Sequence, residues 1–72
     1  MMTITFSNIQ TVKDFVNTTN KCTGDIEVKS DRYVVDGKSI MGLFSLDFSL
    51  PVEVITHNPD DLNTIKDFIN TL

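Results

Sequence analysis

The sequence predicts an α+β fold, a two-layer open-faced sandwich in which a four-stranded antiparallel sheet is covered on one face by three helices. Three observations lead there. Four short segments read as strands by alternation or by β-branched and aromatic content, three carry apolar stripes with a period near 3.6, and turn or cap residues separate them in the order β-α-β-β-α-β-α. A chain of 72 residues forms one domain, spanning 1–72. Such a domain buries only about 60% of its extended surface, so its core is small. Large multi-domain enzymes are excluded. A carrier, an adaptor, a small binding module or a very small catalyst remains.

Met2-Thr3-Ile4-Thr5-Phe6 alternates as a half-buried strand does, with Met2, Ile4 and Phe6 toward the core. Ser7-Asn8 supply short polar side chains suited to a turn or a helix cap. Ile9, Val12, Val16 and Thr19 then fall on one helical stripe, with Phe15 and Cys22 beside it, which predicts a helix over 10–22 with Gly24 as its exit. Ile26 to Lys29 alternates again, Ser30-Asp31-Arg32 forms a connection, and Tyr33-Val34-Val35 is the partner strand of a hairpin. Asp36-Gly37 is a turn dipeptide, after which Ser39 caps a short helix from Ile40 to Leu46 whose apolar face uses Ile40, Leu43 and Phe44. Pro51 has no N–H to give a ladder and stands at the start of the fourth strand, Val52 to Thr56. Asn58-Pro59-Asp60-Asp61 opens a last helix with Leu62, Ile65, Phe68, Ile69 and Leu72 on its apolar side.

Six Lys and Arg against ten Asp and Glu give a formal charge of −4. The basic residues are scattered, and that balance disfavours binding to a nucleic-acid backbone. Cys22 is the single cysteine, so no internal disulfide forms and no Cys/His ligand set exists. No apolar run approaches the ~20 residues needed to span a bilayer, and the first residues lack a basic stretch followed by an apolar one. The expected location is the cytoplasm, with no membrane insertion.

Chemistry-bearing residues are few. His57 is the only side chain with an unperturbed pKa near neutrality, and it follows a strand and precedes an Asn-Pro turn. A catalytic or phosphoryl-accepting role would require a partner group there. Cys22 lies near a helix C-terminus, where nothing lowers a thiol pKa, and reads as a small filler. The aspartates are spread through helices and turns without the spacing of a divalent-metal loop, and three glycines make no phosphate-binding loop. No metal and no cofactor is expected. The tract Asp36 to Leu46 is the most informative: it carries more apolar surface than a two-turn helix can bury on one side, and Met41 in particular suits an adaptable protein-contact patch. A phosphoryl group on Ser39 would sit at a helix N-terminus, where free N–H groups favour it.

Lys38-Ser39-Ile40-Met41-Gly42, followed by an apolar pair and Ser45-Leu46, resembles the HPr family, the small phosphocarriers of the bacterial phosphoenolpyruvate-dependent sugar phosphotransferase system. Thr18-Thr19-Asn20-Lys21 with Asp25-Ile26 is similar to the end of that family's first helix and the start of its second strand, and the element order agrees along essentially the whole chain. The resemblance implies two phosphoryl sites. One is a histidine in a Gly-Ile-His-Ala-Arg-Pro stretch, taking phosphate from enzyme I and passing it to the enzyme II components. The other, in Gram-positive members, is a serine capping the second helix and phosphorylated by an ATP-dependent kinase; Ser39 holds that place. Counting back from Lys21, however, puts Asn8 at the histidine, Gln10 at the arginine and Thr11 at the proline, with the glycine missing.

An amide is not a reversible phosphoryl acceptor, and Gln10 has no guanidinium fork to clamp phosphate. The leading expectation is therefore a non-enzymatic HPr-like interaction or regulatory domain without histidine phosphoryl transfer. Ile40, Met41, Leu43 and Phe44 would meet a protein partner, as the family's second helix does, and Ser39 is the candidate regulatory site. The alternatives are a working phosphocarrier that uses His57, and a small structural domain that oligomerises through the second helix.

Overall fold

The computed structural model describes residues 2–47 and 49–72 of the chain. Seven elements follow the predicted order: β1 (Met2–Ile4), α1 (Ile9–Thr19), β2 (Glu27–Ser30), β3 (Tyr33–Asp36), α2 (Ile40–Phe44), β4 (Val52–Ile55) and α3 (Pro59–Asn70). The strands form one antiparallel sheet in the order β1-β4-β2-β3, so β4 is inserted between the first and second strands and β3 lies at an edge.

Alternation decides which face is which. Val28 pairs with both Val54 and Val35, and Ile4 with Val52; these residues point to the side where the helices lie. The core there is Ile4, Phe6, Val12, Phe15, Val16, Cys22, Ile26, Val28, Leu43, Leu46, Val52, Val54 and Ile65. Phe15 lies edge-on to Phe6 at 5.3 Å and edge-on to Phe68 at 5.8 Å, joining the end of β1, the middle of α1 and the last turns of α3 in one aromatic row. The opposite face carries Glu27, Lys29, Val34, Asp36 and Glu53 and has no helix over it.

Several boundaries differ from the sequence expectation, each for a local reason. β1 stops at Ile4 rather than Phe6, its last pair being Ile4 with Val52, the first residue of β4. Phe6 still turns inward and is buried. α1 ends at Thr19, three residues early: the Asn20 backbone N–H bonds to the carbonyls of Thr18 and Val16, and Lys21 and Cys22 continue as tight turns onto Thr18 and Thr19. Ile9, expected on the buried stripe, is 55% exposed, since Phe6 against Phe15 fills that end of the core. The hairpin connection is the two-residue turn Asp31-Arg32, with Asp31 in the left-handed region at φ 56°, a conformation Asp tolerates better than most side chains.

α2 ends at Phe44 instead of Leu46, because the Ser45 N–H already turns back onto Met41 and Gly42. At the carboxyl end Leu72 lies outside α3 and is 59% exposed, contrary to its place on the expected stripe; Leu62 is half-buried. α3 starts as expected, with Asn58 accepting from the N–H groups of Asp60 and Asp61 and Pro59 in the first turn.

Candidate functional site

The start of α1 is built as a cap. Asn8 has extended backbone, and its side-chain oxygen accepts from the Thr11 N–H at 2.9 Å and from the Thr11 hydroxyl at 3.0 Å. The Ser7 hydroxyl lies 3.2 Å from the same Thr11 hydroxyl. Gln10 is directed along the helix and donates to Asp14 at 3.0 Å. Of the three polar residues that stand where the resemblance places a histidine, an arginine and a proline, Asn8 and Thr11 therefore satisfy each other at the helix start, and Gln10 is engaged by Asp14 one turn on. The first turn holds no imidazole and no cation.

The start of α2 is different. Ser39 caps it, its hydroxyl oxygen accepting from the Gly42 N–H at 3.0 Å. Met41 is 81% exposed and Phe44 42%, and Ile40 is half-buried. Leu43, expected on the contact surface, is 1% exposed and belongs to the core. Its N–H bonds to the Ser39 carbonyl, and that one turn directs it beneath the helix. The exposed face is thus Ile40, Met41 and Phe44.

Hydrogen bonds from the end of α1 fix the approach to α2. The Thr19 side chain is fully buried, and its hydroxyl donates to the Gly37 carbonyl at 2.7 Å, with the Val16 carbonyl as a second acceptor at 3.1 Å. Asn20 spans the Val16 and Lys38 carbonyls at 2.8 and 3.3 Å, and the Lys38 ammonium donates to the Cys22 carbonyl at 2.9 Å. Gly37 itself bonds to the Ile26 carbonyl at 2.7 Å, and a Cβ there would stand 2.6 Å from the Ile26 side chain. Only glycine fits so close an approach. The two stretches that carry the resemblance, Thr18 to Lys21 and Lys38 to Gly42, meet in space as one junction.

Asp61 makes a second tie that the sequence does not announce. It is 3% exposed, and its two carboxylate oxygens accept from the Thr23 N–H at 3.1 Å and the Gly24 N–H at 2.8 Å. As a first-turn residue of α3 it also faces the positive end of the helix dipole. The sequence shows it only as a helix-start aspartate; the glycine it approaches, Gly24, is the one available hint.

His57 is exposed and lies in an open groove with Asp25, Glu27 and Asp36. Those carboxylates would repel a phosphoryl group, and no other side chain there supplies the donors that a phosphohistidine needs. Among the described residues, no three His, Cys, Asp or Glu side chains converge to hold a metal ion, and no helix is long and apolar enough to cross a membrane.

Burial raises the Cys22 thiol pKa, the nearby Asp61 carboxylate raises it further, and Lys38 opposes them. The thiol form is thus favoured by folding. Stability owed to it is complete below the unfolded thiol's pKa and is lost as pH rises through the folded one. Native Cys22 is expected to react with a thiol reagent at pH 8 at least about tenfold more slowly than the urea-unfolded chain. Equal rates in the two states would contradict this burial.

No protein-family model matches the chain, and no curated protein matches it in sequence. Among solved structures, it is similar to Crh, the Bacillus subtilis catabolite repression protein, whose crystal structure shows a domain-swapped, intertwined dimer. The likeness is 29% in sequence identity with a TM-score of 0.69, covering 89% of this chain and 76% of that one. The element order, sheet topology and helix placement are those of the HPr-like fold, as the likeness to Crh supports.

Proposed function

We propose that residues 1–72 form a non-enzymatic HPr-like domain that works by protein contact through the exposed face of α2, in sugar phosphotransfer regulation or carbon regulation. The observation that carries this reading is the contrast between the two helix starts. At α1, the residues in the phosphoryl-acceptor positions are consumed in capping. At α2, a helix pinned from below presents Met41, Phe44 and Ile40 outward. A flexible thioether beside an aromatic ring is a surface suited to a partner's apolar groups. The similarity to a catabolite repression protein supports carbon regulation as the setting.

Ser39 is the regulatory phosphorylation site in this reading. Its hydroxyl keeps the cap bond from Gly42 yet remains half-exposed. A phosphoryl group there adds negative charge beside Met41, enough to alter partner choice while the neighbouring N–H groups receive its oxygens.

Intact mass reads out both phosphoryl chemistries. Incubation with phosphoenolpyruvate and enzyme I is expected to leave the mass unchanged; a gain of one phosphoryl group, lost in His57→Ala, would restore the phosphocarrier reading. Incubation with an ATP-dependent HPr serine kinase is expected to add one phosphoryl group to the chain and none to Ser39→Ala.

The contact face has its own test. As immobilised bait, Met41→Asp is expected to lose at least about tenfold in partner capture relative to wild type, with an unchanged thermal midpoint, because one buried charge at an interface centre costs that much. Undiminished capture by Met41→Asp would move the contact elsewhere.

A further inference from the structure

β3 leaves one side of its backbone unpaired, and the pattern of its hydrogen bonds shows which residues face outward. The Gly37 N–H bonds to the Ile26 carbonyl, and the register then steps by two residues through Val28–Val35 to Ser30–Tyr33. In an antiparallel ladder the hydrogen-bonded pairs alternate, so Tyr33 and Val35 are bonded toward β2, whereas the N–H and C=O groups of Val34 and the N–H of Asp36 point to the free edge, the Asp36 carbonyl accepting from the Ser39 N–H at 3.1 Å. No strand pairs with that edge among the described residues. Tyr33 and Val34 upon it are 63% and 53% exposed. Edges of this kind pair with other strands unless something blocks them, and β3 contains neither proline nor lysine.

Charge identifies the partner. On the helix-free face Asp36 stands directly opposite Glu27, a like-charge pair that destabilises the isolated sheet. Two positions before Val34, Arg32 lies exposed, and among the described residues no acceptor engages its guanidinium.

We propose that β3 pairs with β3 of a second copy of this chain, antiparallel and centred on Val34 opposite Val34. That register is the one in which the outward hydrogen-bonding groups of each edge meet, and it keeps the helices of both copies on the same side of a continuous eight-stranded sheet. It sets Arg32 of each copy against Asp36 of the other, supplying the cation that the Glu27–Asp36 pair lacks. Tyr33 and Val35 pack across the join on the helix side. No segment is exchanged, so the arrangement is distinct from the domain-swapped dimer of Crh. A four-residue edge buries far less than the ~1,200 Å² of a standard interface, so the association is weak and depends on concentration and salt.

Sedimentation equilibrium tests the pairing. Wild type is expected to show a monomer–dimer equilibrium up to about 1 mM, weakening as salt is raised. Arg32→Glu is expected to weaken it about tenfold or more, and Arg32→Asp combined with Asp36→Arg to restore it, since the two cross-copy pairs are then reversed rather than lost. Exchange of the Val34 amide in wild type needs no variant and is expected to slow as concentration rises. A strict monomer at about 1 mM, a dimer indifferent to Arg32→Glu, or Val34 exchange independent of concentration would each overturn the proposal.

Discussion

The buried hydrogen bond from the Thr19 hydroxyl to the Gly37 carbonyl is the constraint on which the placement of α2 depends. A hydroxyl with no access to water must find an acceptor, and an acceptor 18 residues away ties the end of α1 to the turn that launches α2. Around it, Asn20 holds the Lys38 carbonyl and Lys38 holds the Cys22 carbonyl. The five-residue α2 is too short to be stable by itself. It exists because its first residues are held by this junction and its one inward side chain, Leu43, is sunk in the core. A helix so fixed can expose Met41 and Phe44 without collapsing onto them.

The same scaffold treats its other helix start differently. Asn8, Thr11 and Ser7 close a compact polar ring at the head of α1, and Gln10 is occupied with Asp14. This arrangement stabilises a helix; it does not present a nucleophile or a cationic cradle. The one imidazole, His57, lies among carboxylates in a separate groove. The contrast between the two helix starts is what the proposed reading, recognition through α2 with Ser39 as its regulatory site, rests on.

The order and type of the elements are legible in the sequence because β1 and β2 alternate, β3 and β4 are rich in β-branched residues, and each long helix carries an apolar stripe. What stays hidden is set by partners distant in sequence. The alternation of Met2 to Phe6 continues past Ile4, yet β1 ends there because its pairing partner β4 begins only at Val52. Lys21 and Cys22 keep a helical spacing, yet the Asn20 side chain bonds back to Val16 and closes α1 at Thr19. Leu43 stands on the predicted apolar face of α2 and Met41 off it, but a segment of five residues gives too little periodicity to show that Phe44, assigned to the same face, stays 42% exposed. Asp61 reaches Thr23 and Gly24 across just over half the chain, and nothing local to either segment marks the contact. The candidate site is legible as a tract, Lys38 to Phe44, whereas its anchoring by Thr19 is visible only in three dimensions.

Amide hydrogen exchange in Thr19→Val tests the junction most directly, because the substitution keeps the side chain's shape and removes its donor. The amides of Gly42 and Leu43 in α2 are expected to lose protection by about tenfold or more, the consequence of leaving the Gly37 carbonyl buried without its partner. Those of Val28 and Val54 at the sheet centre, by contrast, should follow only the small change in global stability. Unchanged protection in α2, or a uniform loss across sheet and helix alike, would show that the junction does not hold α2 in place.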